Sequence, residues 1–325
     1  MKTNRRQFIK LAGTGIATAY FAPSLLSCSN TVSIGLAEIG LQLYTLREQL
    51  IHDATGTLVR VANIGYDHVE TFGAEIQADG KSSFWGLETG TLRRILDDNG
   101  LKTLSGHYLL DDFLTRGIGD EDVLKICVDI ALELGQQYII VPVPPLSLID
   151  RLGADDYRFM ADQLNIGGEM VAKAGLKLGY HNHFWEFRSL DNGLTGMDIL
   201  IDRTETDLVA FELDLFWTEK AGIDSAAFIR KHPSRFPLWH IKDMNKQDTA
   251  PVIGPEYDNR PALEIAMGIT YTEVGTGSID FHKIIAEKQA AGLQLAYVEQ
   301  DIISIDPFDS ITESLNYVKS KLLAK

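Results

Sequence analysis

Leu178-Gly179-Tyr180-His181-Asn182-His183-Phe184-Trp185-Glu186-Phe187 begins as an apolar run and ends in two imidazoles, an amide, large aromatics and a carboxylate. Side chains alternate faces along a strand, so His181 and His183 share one face and Asn182 takes the other. The stretch reads as a core strand emerging into a loop. Its two histidines are placed to hold a metal or a sugar, or to hydrogen-bond to each other at the strand's end.

Outward from this stretch, apolar runs of strand length alternate with amphipathic runs of helix length. The strand-like runs are 39–44, 66–71, 102–107, 138–143, 176–181, 208–214, 238–242 and 295–299. The helix-like runs between and after them are 53–63, 89–99, 120–134, 155–174, 196–202, 225–231, 281–291 and 309–323. Gly100, Gly135, Gly175 and Gly292 supply helix stops. Pro142, Pro144 and Pro145 end the fourth strand. Eight strand–helix units in roughly 290 residues predict an α/β fold of the (β/α)8 TIM-barrel type. A doubly wound sheet is the rival, but no Gly-rich turn follows the first strand. Gly275-Thr276-Gly277 follows no convincing strand and reads as a turn, with Asp280 or Ser278 capping the next helix. Residues 244–272, with Pro251, Pro255 and Pro261, form an irregular insertion too long for an ordinary connection. They are expected to act as a substrate lid or an oligomer contact.

The first thirty residues stand apart from this pattern. Asn4-Arg5-Arg6-Gln7-Phe8-Ile9-Lys10 resembles a twin-arginine export signal. The weakly apolar stretch after it, about 16 residues, is short of the ~20 that a spanning helix needs. Leu25-Leu26-Ser27-Cys28 resembles a lipoprotein signal-peptidase site, which would make Cys28 a lipidated first residue, with plain cleavage as the alternative. The expectation is a signal segment over 1–30, a single catalytic barrel over 31–325, and export to the periplasm or a membrane-anchored lipoprotein. With only Cys28 and Cys127, no disulfide is expected, and Cys127 reads as a small buried hydrophobe. The formal charge is −15, and Lys2, Arg5, Arg6 and Lys10 in the first thirty residues face no acid, so the remainder is more acidic still. Such a surface excludes a phosphate backbone as partner, and an anionic membrane beyond a lipid tether.

In a barrel of this kind the chemistry lies at the C-terminal ends of the strands. Those positions read Glu70, His107, His181 and His183, Asp214, His240 and Lys242, and Glu299. Burying so many polar groups unpaired would cost several kcal/mol each, so a shared site is expected. Mixed nitrogen and oxygen donors suit one divalent ion of Mn²⁺, Zn²⁺, Co²⁺ or Fe²⁺, and suit Mg²⁺ less. Trp85, Trp185 and Trp217 could pack flat faces on a sugar ring.

Tyr180-His181-Asn182-His183 with Glu186-Phe187, Leu213-Asp214, His240-Ile241-Lys242-Asp243, Glu273-Val274-Gly275-Thr276-Gly277-Ser278-Ile279-Asp280 and Val298-Glu299-Gln300-Asp301 occur in that order. They make the chain after residue 31 resemble the sugar phosphate isomerase/epimerase family, the xylose isomerase-like barrels. That resemblance implies a metal held by Glu, Asp, His and Glu from strands five to eight. Asp214, His240 and Glu299 fill the last three places, and His181 stands where many relatives carry the first Glu, with His183 as the near alternative. Trp217 stands where several relatives carry a further histidine, which argues against the apurinic-endonuclease branch. The chemistry implied is proton transfer next to a carbonyl through an enediolate, with the metal as Lewis acid. Of the two glutamate bases of the ketose epimerases only Glu299 remains, so the second proton-transfer group would come from Glu186, His183, Lys242 or Glu70. Glu70 and His107 also stand as substrate contacts. No Gly-rich phosphate cradle or Arg pair is visible at the later strand ends, so the substrate expected is a non-phosphorylated sugar or glycoside. The first reading is a metal-dependent sugar isomerase/epimerase. The alternatives are a keto-glycoside lyase or hydratase on the same metal site, and an exported sugar-binding barrel without catalysis. A homo-oligomer is left open.

Overall fold

Eight short runs, most of them rich in β-branched, leucine and aromatic residues, pair edge to edge because each is buried on both faces. They are β1 (Gly40–Gln42), β2 (His68–Thr71), β3 (Lys102–His107), β4 (Tyr138–Val141), β5 (Lys177–His181), β6 (Val209–Asp214), β7 (Leu238–Ile241) and β8 (Leu295–Val298). All pairs are parallel, and the sheet closes in the order β1-β8-β7-β6-β5-β4-β3-β2. This is the expected (β/α)8 barrel. The computed structural model describes residues 38–77, 80–190 and 193–323. The export and lipidation features of residues 1–30 lie outside the described residues.

Departures from the predicted elements have local causes. Strand 39–44 stops at Gln42, whose side chain accepts from Tyr44 N and turns the chain into the 3-10 helix Leu43–Leu46. Strand 138–143 stops at Val141, because Pro142 has no N–H to extend the ladder. Helix 53–63 is instead Arg47–Ile64, kinked at Asp53 and closed by Gly65 at φ 104°. Helix 281–291 breaks into Phe281–Ile285 and Lys288–Ala291. The insertion 244–272 is more ordered than expected: Asp243–Met244 pairs with Tyr271–Thr272 at its neck, and it carries the helix Ala262–Met267. A small antiparallel sheet of Ala74–Ile76, Ser82–Phe84 and Leu87–Glu88 follows β2 and was not foreseen. Cys127 is buried, as expected, and burial pushes its thiol up to about 12.

Two features fix how the strands aim their side chains. In β3, Val69 and Glu70 of β2 pair with Thr103 and Ser105, so Leu104 is an extra, bulged residue that resets the alternation before His107. In β1, a Cβ on Gly40 would lie 2.4 Å from both His68 Nδ1 and Tyr297 Cδ1. Only glycine lets those two rings meet edge to face in the interior, 4.9 Å apart.

Candidate active site

The alternation at the end of β5 holds, and both faces have work. His181 and His183 turn inward with ring centroids 5.0 Å apart. Asn182 turns the other way, accepting from Asp214 N at 3.1 Å and donating to Thr218 Oγ1 at 3.2 Å. It therefore ties the end of β5 to the end of β6. Asp214 closes β6 and caps the short helix Leu215–Lys220, which the sequence did not suggest, by accepting from Trp217 N at 2.8 Å. One carboxylate oxygen is thus spent on fixing the side chain, and the other points at the barrel axis.

The same logic operates after β7. His240 and Lys242 face inward, and Asp243 faces outward into the Gly275-Thr276-Gly277 turn. Its carboxylate accepts from Gly275 N, Gly277 N, Ile279 N and Met244 N at 2.8–3.2 Å. A Cβ on Gly277 would come within 2.2 Å of Asp243 Oδ1, so the turn needs glycine there. The turn is an anion cradle filled from within by Asp243, and it holds the segment that carries His240 and Lys242. Asp280 caps the next helix by accepting from Lys283 N.

Inside, carboxylates and cations interlock. His240 Nδ1 lies 2.7 Å from Glu299 Oε2, and His240 Nε2 lies 2.7 Å from Glu70 Oε2 and 3.1 Å from Glu212 Oε2. Glu212 Oε2 is also 2.8 Å from His107 Nε2 and 3.1 Å from His181 Nδ1. Lys242 Nζ sits 3.2 Å from Asp214 Oδ2, 2.8 Å from Glu299 Oε2 and 2.8 Å from Asp301 Oδ1. Burial disfavours the cation on His107, but Glu70 and Glu212 outweigh it and raise its pKa to about 9. His240 is raised for the same reason by Glu212 and Glu299. Burial, reinforced by neighbouring cations, keeps His181 and His183 well below the usual imidazole range, so both are neutral. Burial would lift Glu299, yet Lys242 and His240 override it and hold the carboxylate ionised. Asp214 is raised to about 6 because burial outweighs Lys242 and His240.

Two overlapping groups offer donor atoms within 4.8 Å of one another: His107, His181, Glu212 and His240, and Asp214, His240 and Glu299. Imidazole nitrogens plus carboxylate oxygens suit a divalent transition ion, neutral His181 offering a lone pair directly and His240 after releasing the proton that its carboxylate partners hold on it. Glu70 Oε1 and Glu212 Oε1 are buried without hydrogen-bond partners, which leaves acceptor capacity for a cation. Of the expected quartet, Asp214, His240 and Glu299 form one of these groups, and His181 falls in the other, its Nε2 3.7 Å from Asp214 Oδ2. Glu212 was missed. Its signal was available, since it lies two residues before Asp214 and must share that residue's face.

A cavity of about 350 Å³ opens over this cluster. Of the expected contacts, His107, His181, His183, Lys242 and Glu299 line it, with Trp185 and Trp217 in its wall. His183 stacks on Trp185 at 4.1 Å, and its Nδ1 has no partner. Glu70 is fully buried and is not part of the lining. Trp85 stands behind Phe72, 5.4 Å from it, and Phe72 takes the lining position. Glu186 does not reach the cavity either: it is buried, accepting from Tyr180 OH at 2.7 Å and His183 N at 2.8 Å. Its place is behind His183, which it holds. Tyr271 and Asp301, bonded to each other at 2.9 Å, line the cavity and were not foreseen as contacts.

Comparison with known proteins agrees with this architecture. The family model described as xylose isomerase-like TIM barrel matches residues 58–320. An inosose dehydratase from Clostridium beijerinckii is 25% identical over 279 residues, 77% of this chain and 90% of that protein. The Clostridium perfringens inosose dehydratase is 26% identical over 176 residues, 52% of this chain and 56% of that protein, so the match spans only about half of its length. Among solved structures, a sugar phosphate isomerase/epimerase from Parabacteroides distasonis superposes with TM-score 0.73 at 25% identity, covering 91% of this chain and 97% of that one.

Proposed function

The chain belongs to the xylose isomerase-like TIM barrel family, and on that premise we propose that it is a metal-dependent lyase acting on a keto-sugar by β-elimination. The observation that carries the reading is the asymmetry of the proton-transfer equipment. Glu299, an ionised carboxylate, lines the cavity beside the Lys242 ammonium; Asp301, the other carboxylate of the lining, is taken up by Lys242 and Tyr271, and the facing strand-five position holds a neutral imidazole, His181. Epimerisation needs matched bases on opposite faces; elimination needs one. The dehydratase relative that aligns over 90% of its length supports the same choice. The first expectation of an isomerase/epimerase stands as the second reading, favoured by the solved Parabacteroides relative.

In this proposal His181, Asp214, His240 and Glu299 hold the divalent ion. When bound, it supplies Lewis-acid polarisation of the substrate carbonyl. Glu299 takes the proton from the carbon next to the carbonyl. Lys242 faces the oxygen on which negative charge develops, its ammonium fixed by Asp301, which Tyr271 OH in turn holds. The carbon–oxygen bond one atom further along then breaks, and its electron pair leaves with the oxygen. Glu299 hands the proton to that oxygen, so water or an alcohol departs and a conjugated enone remains. Glu186 acts through His183 as a positioning residue.

Metal-loaded protein incubated with inosose and with a 3-keto-glucoside tests this. Growth of enone absorbance with loss of water or alcohol by mass supports elimination. An isomer of unchanged mass supports the second reading. Neither product from a metal-loaded sample overturns both and leaves a sugar-binding barrel.

A further inference from the structure

Large apolar side chains are few on this acidic surface, and they are not spread evenly. Of the fourteen that are exposed among the described residues, six ring the mouth of the one cavity described above: Tyr44, Leu109, Leu146, Leu263, Met267 and Ile302. They come from five separate connections, those after β1, β3, β4, β7 and β8, which have only the barrel mouth in common. Met267 is 72% exposed and Leu109 55%, so these are not side chains half-hidden in a core. An apolar collar of this kind marks a binding surface.

The collar is held in place. Asp150 Oδ1 accepts from Ala262 N at 2.7 Å and from Arg188 Nη1 at 3.3 Å, while Arg188 Nη2 donates to Arg260 O at 3.1 Å and Tyr257 O at 3.4 Å. The helix Ala262–Met267 that presents Leu263 and Met267 is therefore tied to the body of the barrel. The cavity is also graded: ionisable groups gather at its floor, aromatic and aliphatic walls follow, and the exposed collar comes last. A volume of about 350 Å³ falls at the lower end of the range, roughly 300–1,000 Å³, of small-molecule pockets.

We infer that the collar binds an apolar aglycone, so that the substrate is a keto-glycoside carrying an aryl or alkyl group rather than a free sugar. This rests on the elimination reading of the same site. The ring's carbonyl and hydroxyl oxygens meet the polar floor, and the aglycone leaves as its alcohol, its oxygen taking the proton that Glu299 removed. Arg47, whose guanidinium lies 4.5 Å over the Tyr44 ring at the mouth, adds a cation for an aromatic face. A second copy of this chain is the competing occupant, and the formal charge of −15 opposes it.

The test is calorimetric binding of phenyl and methyl 3-keto-glucoside to the metal-loaded full chain, with turnover of both followed by enone absorbance. The phenyl compound is expected to bind at least tenfold more tightly, and the ratio of affinities should fall toward one in the Leu263→Gln/Met267→Gln variant. Equal affinities in the wild type, or a preference that survives the double variant, would overturn the collar assignment even if both compounds are consumed. Preference without turnover of either would sink the elimination reading and leave the collar standing. Sedimentation showing a dimer that the double variant dissolves would assign the collar to a second copy instead.

Discussion

Two layers of one barrel interior, built by the same strands a few ångströms apart, are made of opposite materials. In the lower layer Leu104, Tyr138, Ile140, Leu238, Leu295 and Tyr297 form a closed apolar cluster. Its two hydroxyls are satisfied, Tyr297 by Ser105 at 2.6 Å and Tyr138 by Gln294 at 3.0 Å. Two residues further along the same strands, Leu238 gives way to His240 and Tyr297 to Glu299. There the interior carries carboxylates and imidazoles so close that several share one oxygen. The lower layer follows the packing rules for protein interiors, apart from His68 against Tyr297, where the two ring nitrogens of His68 are buried without partners. The upper layer violates those rules in a way that hydrogen bonding only partly repairs, since Glu70 Oε1 and Glu212 Oε1 stay unpartnered. The lower layer is there to hold the barrel together, and the upper layer to act on something that enters it.

The contrast can be broken from either side. The largest effect is expected for Glu299→Gln, which keeps the shape but removes the base. Its kcat/KM should drop by about 10³-fold or more, measured as enone formation on protein whose fold is checked by circular dichroism, since Glu299 is also the buried partner of Lys242 and His240. Retained activity would mean that the base is misassigned. Ile140→Ala acts in the opposite sense. Emptying part of the lower layer should lower stability by about 2–5 kcal/mol in a urea titration, while kcat of the folded fraction stays near that of the parent.

Glu186 tests the border between the two roles. Burial lifts its pKa to about 7, above the ordinary carboxylate range, so the folded state holds a proton that the unfolded chain has released. Between about pH 4.5 and pH 7 the native state binds the extra proton, and stability therefore falls as pH rises through that window, by up to about 3 kcal/mol. Glu186→Gln should flatten that slope in urea titrations at pH 5 and pH 8. An unchanged slope would mean that the carboxyl is not buried as described. The smallest effect is expected from Glu212→Gln, which weakens the support shared by His107, His181 and His240. Affinity for Zn²⁺ or Mn²⁺ should fall by about 10–100-fold in a chelator competition.

The upper layer was largely legible in the sequence because it obeys one rule, that alternate residues share a face. Glu70, His107, His181, Asp214, His240 and Glu299 stand where strands run into loops, and the structure brings all six within one cluster. Glu212 is masked because Asp214, not Glu212, is the last polar residue of its strand, although the same rule places both on the inner face. Glu186 and Trp85 show the opposite limit. Both lie in loops next to the site, where no periodicity says which way a side chain turns, and both turn away from the cavity. The helix Ala262–Met267 was hidden by prolines around it and by a length of only six residues. The collar it helps to build depends on five loops meeting in space, which no single stretch of sequence reports.

The central claim is that the upper layer removes a proton next to a carbonyl only with a divalent ion in place. The most direct measurement follows the NMR signal of that carbon-bound hydrogen in D2O, with inosose and a 3-keto-glucoside, using metal-stripped protein and protein reloaded with a quantified ion. Deuterium should enter at the carbon beside the carbonyl with the reloaded protein and not with the stripped one. Exchange at the same rate after stripping, or none in the reloaded protein with either ketone, would contradict it.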